Sequence, residues 1–148
     1  MKTISKKFLF LVVLGGRAKM ANIELHDVRW VIGQSIEDTY NTLRIEWFGD
    51  LQGLHIDSYK KINFVDGYKI DLKKVKNLEI KKNKFCDAKN TKNILWFVNL
   101  GGYHPRSMQE KHEFGLVVAS SSLEAKNKAK SQWLNGCRKK HKDDILSL

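Results

Sequence analysis

Residues Phe8–Gly16 read FLFLVVLGG, and residues Ile94–Gly102 read ILWFVNLGG. Each is an apolar run ending in a glycine pair. Such a run, rich in β-branched and aromatic residues and stopped by Gly-Gly, is the pattern of a buried strand followed by a turn. Read alone, the first run would pass for a short secretory leader, with Lys6 and Lys7 before it and Ala18 and Ala21 after it. Its counterpart lies in the middle of the chain, where no leader can be. The two runs stand 86 residues apart, and that offset organises the rest of the sequence.

Laid over residues 95–143 without a gap, residues 9–57 match at 13 of 49 positions. Apolar and glycine identities are Leu9/Leu95, Val12/Val98, Leu14/Leu100, Gly15/Gly101, Gly16/Gly102, Val31/Val117 and Trp47/Trp133. The polar identities are Glu24/Glu110, His26/His112, Ser35/Ser121, Asn41/Asn127, His55/His141 and Asp57/Asp143. The match is several times what unrelated segments give, so the chain is an internal duplication.

Each copy reads the same way. After the first strand, IELHDVRWVIG (Ile23–Gly33) and QEKHEFGLVVA (Gln109–Ala119) are second strands. SIEDTYNTLRIEWF (Ser35–Phe48) and SSLEAKNKAKSQWL (Ser121–Leu134) then read as helices. Ser35 with Asp38, and Ser121 with Glu124, set a hydroxyl three residues before an acid at both helix starts, the spacing of a reciprocal cap. Ile36, Tyr40, Leu43 and Trp47 fall on one helical face, and Trp47 and Trp133 are read as core. Asp66-Gly67, between HIDSYKKINFV and YKIDL, is a strong hairpin signal that the second copy lacks.

The expected fold is therefore α+β: two pseudo-symmetric β-β-α units forming one compact domain over residues 1–148, with an extra β-hairpin in the first half. Repeat one spans 8–72 and repeat two 94–148, the latter shortened at its C-terminus. A basic connector, 73–93, joins them and carries a strand fragment at Val75, Leu78 and Ile80. Neither unit alone has many residues with which to cover its apolar face.

Composition narrows the function classes. Among the 148 residues, no apolar run approaches the roughly 20 needed to span a bilayer as a helix. Cys86 and Cys137 are two isolated thiols, in neither a disulfide framework nor a zinc-ligand pair, as expected of a reducing, cytoplasmic compartment. The net charge of +11 is unevenly spread: residues 1–59 balance at seven basic and seven acidic, while residues 60–92 carry eleven lysines against four acids. Such a surface attracts polyanions. Of the 27 basic residues, however, only five are arginine, the side chain that reads phosphate and base edges as a fork. Nucleic-acid binding is accordingly a possible but unfavoured reading.

The strings FLVVLGGR, IELHDVRWVIG, HIDSY with VDGYKI, and in the second half FVNLGGY, EKHEF and LVV, resemble a bacterial family known as domain of unknown function fifteen-forty-three. The resemblance covers nearly the whole chain. It implies a two-copy α+β domain and no activity, and this chain departs from the family pattern after His141, where family members continue with further strand-like sequence.

Three sets of residues are candidates for chemistry. Glu24 and His26, and Glu110 and His112, lie two apart on a strand and so share a face with Val28, Trp30 and Ile32, or with Phe114, Leu116 and Val118. A carboxylate beside an imidazole against an apolar wall is how an acid–base group is tuned, and it is also how a strand end is braced. Two such pairs facing across a pseudo-dyad would make one pocket. His55 with Asp57, and His141 with Asp143, continue on a polar face with Tyr59, Lys61 and Asn63 and read as solvated surface. They are similar to the paired motifs of two-histidine phosphoesterases, except that aspartate replaces the hydroxyl residue. With two donors per copy, they imply no metal site. The third set is the glycine turns, Gly15, Gly16 and Arg17 with Gly101, Gly102 and Arg106, whose N–H groups would present to an anion. No cofactor is implied.

The sequence favours a binding domain for a small anionic or phosphorylated ligand at the interface of the two repeats. The alternatives are a hydrolase or phosphoesterase using His26 and His112 as acid and base, and a nonspecific nucleic-acid-binding protein. No membrane partner is expected.

Overall fold

The computed structural model describes residues 6–73 and 93–148. The strand fragment around Val75, Leu78 and Ile80, and Cys86, lie outside the described residues. The chain divides into two compact units. The first runs through the described residues to Phe64 and resumes at Lys69; the second takes Val65–Tyr68 and the described residues from Asn93 onward.

In the first unit the apolar run forms β1 (Phe8–Gly16), followed by β2 (Leu25–Gly33). A 3₁₀ turn at Glu37–Thr39 leads into α1 (Tyr40–Glu46), and β3 (His55–Ile62) returns to the sheet. The strand order is β2-β1-β3, with β1 antiparallel to both neighbours. A short hairpin follows, β4 (Phe64–Val65) and β5 (Tyr68–Lys69). Its turn residues Asp66 and Gly67 have φ of 50° and 80°, the two left-handed residues of a type I′ turn. The second unit repeats the pattern with β6 (Ile94–Tyr103), β7 (Glu110–Ala119), α2 (Ser122–Gln132) and β8 (Arg138–Ser147), in the order β7-β6-β8.

The fold is α+β, but each unit is β-β-α-β rather than β-β-α. The segment from His55 is a third sheet strand as well as the approach to the hairpin, and the end of the second repeat supplies its equivalent. β8 pairs with β6 from Arg138 opposite Tyr103 to Ser147 opposite Trp96. Its sequence, RKKHKDDILS, hides this because no residue of it is fully buried, so the apolar alternation that marks a half-buried strand is missing. A second correction concerns the glycine pairs. Gly15, Gly16, Gly101 and Gly102 are strand residues, not turns.

Alternation along the central strand sets the core. Phe10, Val12 and Leu14 point to the helix side and pack with Val31, Ile36, Leu43 and Trp47. In the second unit Val98 and Leu100 pack with Val117, Ala119, Ala125, Ala129 and Leu134, and Trp133 lies half-buried against them. Each fully buried aliphatic side chain contributes roughly 1.5–3 kcal/mol relative to exposure. The expected face of α1 holds at Ile36, Leu43 and Trp47, whereas Tyr40 is exposed and Thr39 is buried. The 3₁₀ entry explains the change: at three residues per turn, Ile36 and Thr39 share a face.

Both helix starts use their acid. Glu124 accepts from the Ser120 amide and hydroxyl, and the Ser121 Oγ accepts from the Glu124 amide at 3.2 Å. In the first unit Asp38 accepts from the amides of Gln34 and Ser35, the 3₁₀ turn has no side-chain cap, and the Ser35 side chain hydrogen-bonds the Glu37 carboxylate instead. Removing the Ser121 hydroxyl as alanine should therefore cost about 1 kcal/mol, measured by urea unfolding, with no matching loss in Ser35→Ala. The hydrogen bonds from Ser120 also lower the Glu124 carboxyl below its ordinary value of 4.5. A lowered carboxyl stabilises the fold above its unfolded pKa, and the contribution disappears as pH falls through the folded value. The melting-temperature deficit of Glu124→Gln should thus be present at neutral pH and vanish in acid.

Among the described residues, no helix is long and apolar enough to cross a membrane, which says nothing of spanning by strands.

Candidate functional site

The side of each sheet away from its helix carries the polar candidates. Across the first sheet, Gly15 of β1 stands opposite His26 of β2 on one side and His55 of β3 on the other. Across the second, Gly101 stands opposite His112 and His141. Each unit thus holds a row of histidine, glycine and histidine. The two constellations that appear separate in the sequence are one cluster in each unit: Glu24, His26, His55 and Asp57 in the first, and Glu110, His112, His141 and Asp143 in the second. His55-Asp57 and His141-Asp143 belong to these clusters and are solvent-accessible as expected, with the His55 and His141 side chains 45% and 43% exposed.

Three backbone devices build the row. The first is the glycine itself. A Cβ on Gly15 would come within 2.7 Å of His55 Nε2 and 3.0 Å of Asp57 Oδ2. A Cβ on Gly101 would meet Glu110 Oε1 and His141 Nε2 at 2.7 Å and Asp143 Oδ2 at 2.8 Å. The glycine leaves open the space on which the polar groups converge. The second device is a bulge. Val13 pairs with Ser58 and Leu14 with Ile56, so Asp57 is the extra residue. Asn99 pairs with Asp144 and Leu100 with Lys142, so Asp143 is the extra residue at the same place. Bulges re-aim side chains, and here they turn the aspartate toward the histidine two residues before it.

The third device fixes the imidazole. His55 Nδ1 lies 2.8 Å from the Gly53 carbonyl, and His141 Nδ1 lies 3.0 Å from the Lys139 carbonyl. A carbonyl can only accept, so Nδ1 carries the proton and Nε2 faces the cluster. Gly53 and Lys139 occupy equivalent positions in the repeat, and both have positive φ, 81° and 50°. Repeat two holds this left-handed bend with a lysine, a conformation that costs roughly 1–2 kcal/mol outside glycine.

In the first cluster His55 Nε2 is 3.1 Å from Asp57 Oδ1 and 3.6 Å from Glu24 Oε1. His26 Nε2 is 3.4 Å from Glu24 Oε1 and 3.3 Å from Asp57 Oδ2. In the second, His141 Nε2 is 2.9 Å from Glu110 Oε1 and 3.1 Å from Asp143 Oδ1. His112 differs from its counterpart, turning Nδ1 to Asp143 Oδ2 at 3.0 Å. Glu110 Oε1 is buried and has no hydrogen-bond partner despite the nearby imidazole. The hydrogen bond to the Gly53 carbonyl, joined by the charges of Glu24 and Asp57, raises the His55 pKa against desolvation. His141 is raised in the same way, first by the Lys139 carbonyl and then by Asp143 and Glu110.

The clusters end an apolar stripe, as the strand periodicity predicts. Val28 and Trp30 are half-buried, and Ile32 is exposed. Phe114 and Leu116 are half-buried, and Val118 is buried. The glycine pairs lie in paired strands, where backbone N–H groups belong to the ladder rather than to a loop open to an anion. Arg17 and Arg106 are exposed on the connections beyond the strands. Residue-by-residue reading passes over the bulges and the two carbonyl acceptors. The signal that could have joined the four polar residues is their recurrence at one common offset.

A family model described as Domain of Unknown Function (DUF1543) matches residues 21–72 and 107–148, one segment in each repeat. The chain belongs to this family. The two DUF1543 segments contain all eight cluster side chains. The crystal structure of a protein Il1583 from Idiomarina loihiensis is similar to this chain at 35% identity, over 96% of this chain and 77% of that one, with a TM-score of 0.65. No curated protein matches this DUF1543 chain.

Proposed function

We propose that the protein binds a small ligand bearing an anionic group, such as a phosphorylated metabolite, with one polar site in each repeat. The observation that carries this reading is the double construction of the His–Gly–His row. A strand end needs one polar pair to brace it. Here two carboxylates and two imidazoles are gathered around a strand glycine, and the arrangement occurs twice. Bringing two carboxylates together opposes folding, and the glycine forgoes the packing that a side chain at a central strand position would supply. A ligand's polar group meeting the imidazole nitrogens explains why both are retained. The polar donors of each site come from within a single repeat, so the proposal places the ligand at each row rather than between the repeats. The basic surface, +11 overall, draws anions toward the protein.

A thermal-shift series of nucleotides, sugar phosphates and dicarboxylates tests this. The expected result is a concentration-dependent rise in melting temperature for at least one class, reduced in both His26→Ala and His112→Ala. If no class raises the melting temperature, or the variants respond like the parent protein, the reading fails. One observation favours the hydrolase reading as a second: the 3.0 Å contact between His112 Nδ1 and Asp143 is the pairing that orients an imidazole for proton transfer. Hydrolysis of p-nitrophenyl phosphate that disappears in His112→Ala would support it.

A further inference from the structure

We infer that the cluster of Glu24, His26, His55 and Asp57 is a site for a divalent transition-metal ion of the zinc class, and that Glu110, His112, His141 and Asp143 form a second site of the same composition. This rests on the preceding reading only in placing function at the His–Gly–His row.

The spacing of the donors is the first argument. Four ligands held tetrahedrally about 2.0–2.1 Å from a zinc ion stand roughly 3.3–3.4 Å from one another. The nitrogen–oxygen separations in the first cluster are 3.1, 3.3, 3.4 and 3.6 Å, with Asp57 meeting His55 through Oδ1 and His26 through Oδ2. Among the described residues, Glu24, His55 and Asp57 also place one ligand atom each within 4.8 Å of one another, while His26 and the second cluster fall outside that limit. The imidazole and carboxylate donors suit zinc, manganese or iron better than calcium or magnesium, which favour oxygen alone.

The second argument is the direction of the lone pairs. With Nδ1–H given to a backbone carbonyl, Nε2 of His55 or His141 is the ring nitrogen left to face two carboxylates. Either a proton on Nε2 or a cation between the groups reconciles them, and a cation takes the place the proton would hold. A ligating histidine whose other nitrogen donates to a carbonyl is the usual outer-shell arrangement of a metal site. In the second unit Glu110 Oε1 is buried and lacks a hydrogen bond 2.9 Å from His141 Nε2, an orphaned oxygen aimed into the same space. The third argument is the glycine cradle, since the space beside Gly101 is bounded by Glu110 Oε1, His141 Nε2 and Asp143 Oδ2 within 2.8 Å of a notional Cβ. The ion also answers an electrostatic difficulty of the anionic ligand. Two carboxylates per cluster repel a bare anion, and a dication cancels their charge and offers the anion a cationic centre to bind.

The test is a stoichiometry. Chelator-treated full-length protein is titrated with Zn²⁺ by calorimetry and with Co²⁺ by visible absorption. Two ions per chain are expected, with Co²⁺ bands of tetrahedral intensity. The double variant His55→Ala/Asp57→Asn should bind one, and adding His141→Ala/Asp143→Asn should leave none. Circular dichroism confirms that the variants fold, and the separate His55→Asn and Asp57→Asn variants serve if a double variant does not. Absence of saturable binding, or an unchanged stoichiometry in the variants, overturns the inference. A single ion lost with His55 overturns it for the second repeat and upholds it for the first. The phosphorylated-ligand series is then repeated with and without Zn²⁺. Ligand binding that is equal in metal-free protein, together with no metal uptake, overturns the metal site and leaves the ligand reading standing. Metal uptake without any ligand response does the reverse.

Discussion

Valine at Gly101 should dismantle the second-repeat cluster while leaving its unit folded. A Cβ there would come within 2.8 Å of Glu110 Oε1, His141 Nε2 and Asp143 Oδ2, all of them ends of flexible side chains. These ends swing away at modest cost, and valine is itself a better strand residue than glycine. The stability change should therefore stay within about 2 kcal/mol. The site pays instead, because the valine methyl groups occupy the space on which four polar groups converge. Histidine ring NMR separates the two effects. The His112 and His141 nitrogen shifts should move to those of free, solvated imidazoles, while those of His26 and His55 stay put. Gly15→Val should show the converse. Unchanged His141 shifts would mean that the glycine serves the strand and not the cluster.

The largest loss of stability should come from the other face of the same strands. Leu100 is fully buried, and its mate Leu14 is only 1% exposed. Truncation to alanine removes the transfer free energy of the side chain and leaves a cavity, together about 2–5 kcal/mol. In a domain whose stability is of order 5–15 kcal/mol, that is a large share. Urea unfolding should show a much lower midpoint for both Leu14→Ala and Leu100→Ala. Leu123→Ala, at a 60% exposed position of α2, should fall within about 0.5 kcal/mol of the parent. Equal midpoints for Leu100→Ala and Leu123→Ala would contradict the assignment of the core.

Two classes of feature divide along the same line. The strands β1, β2, β6 and β7 are legible because one of their faces is buried, and burial writes a pattern of apolar residues that can be read without coordinates. The type I′ turn at Asp66-Gly67 is legible because few residue pairs tolerate two left-handed conformations. Strand β8 is not legible. Its residues are exposed or half-buried, so its place is settled by backbone pairing with β6, and backbone pairing leaves little trace in side-chain choice. The turn before α1 is a smaller case, in which tighter winding exchanged Tyr40 for Thr39 at the core.

The candidate site shows the same division. The duplication marked Glu24, His26, His55, Asp57 and their mates as residues shared by both copies, and it marked Gly15 and Gly101 with them. It did not show that these belong together, because β2 and β3 meet only through the strand between them. The separation of roughly 30 residues between His26 and His55 is spanned by a helix and closed by antiparallel pairing.

By itself, then, the sequence determined the duplication, the α+β class, the apolar central strands and the identity of the polar residues that both copies retain. Those follow from composition, periodicity and repetition, which are properties of the chain. Tertiary structure alone decided that a third strand completes each sheet, that the glycine pairs are strand rather than turn, and that a bulged aspartate faces a histidine whose tautomer is set by the backbone. The physical reason is that register, bulges and hydrogen bonds to main-chain carbonyls are relations between distant backbone segments, and any sequence able to form strands can satisfy them in more than one way until the sheet closes.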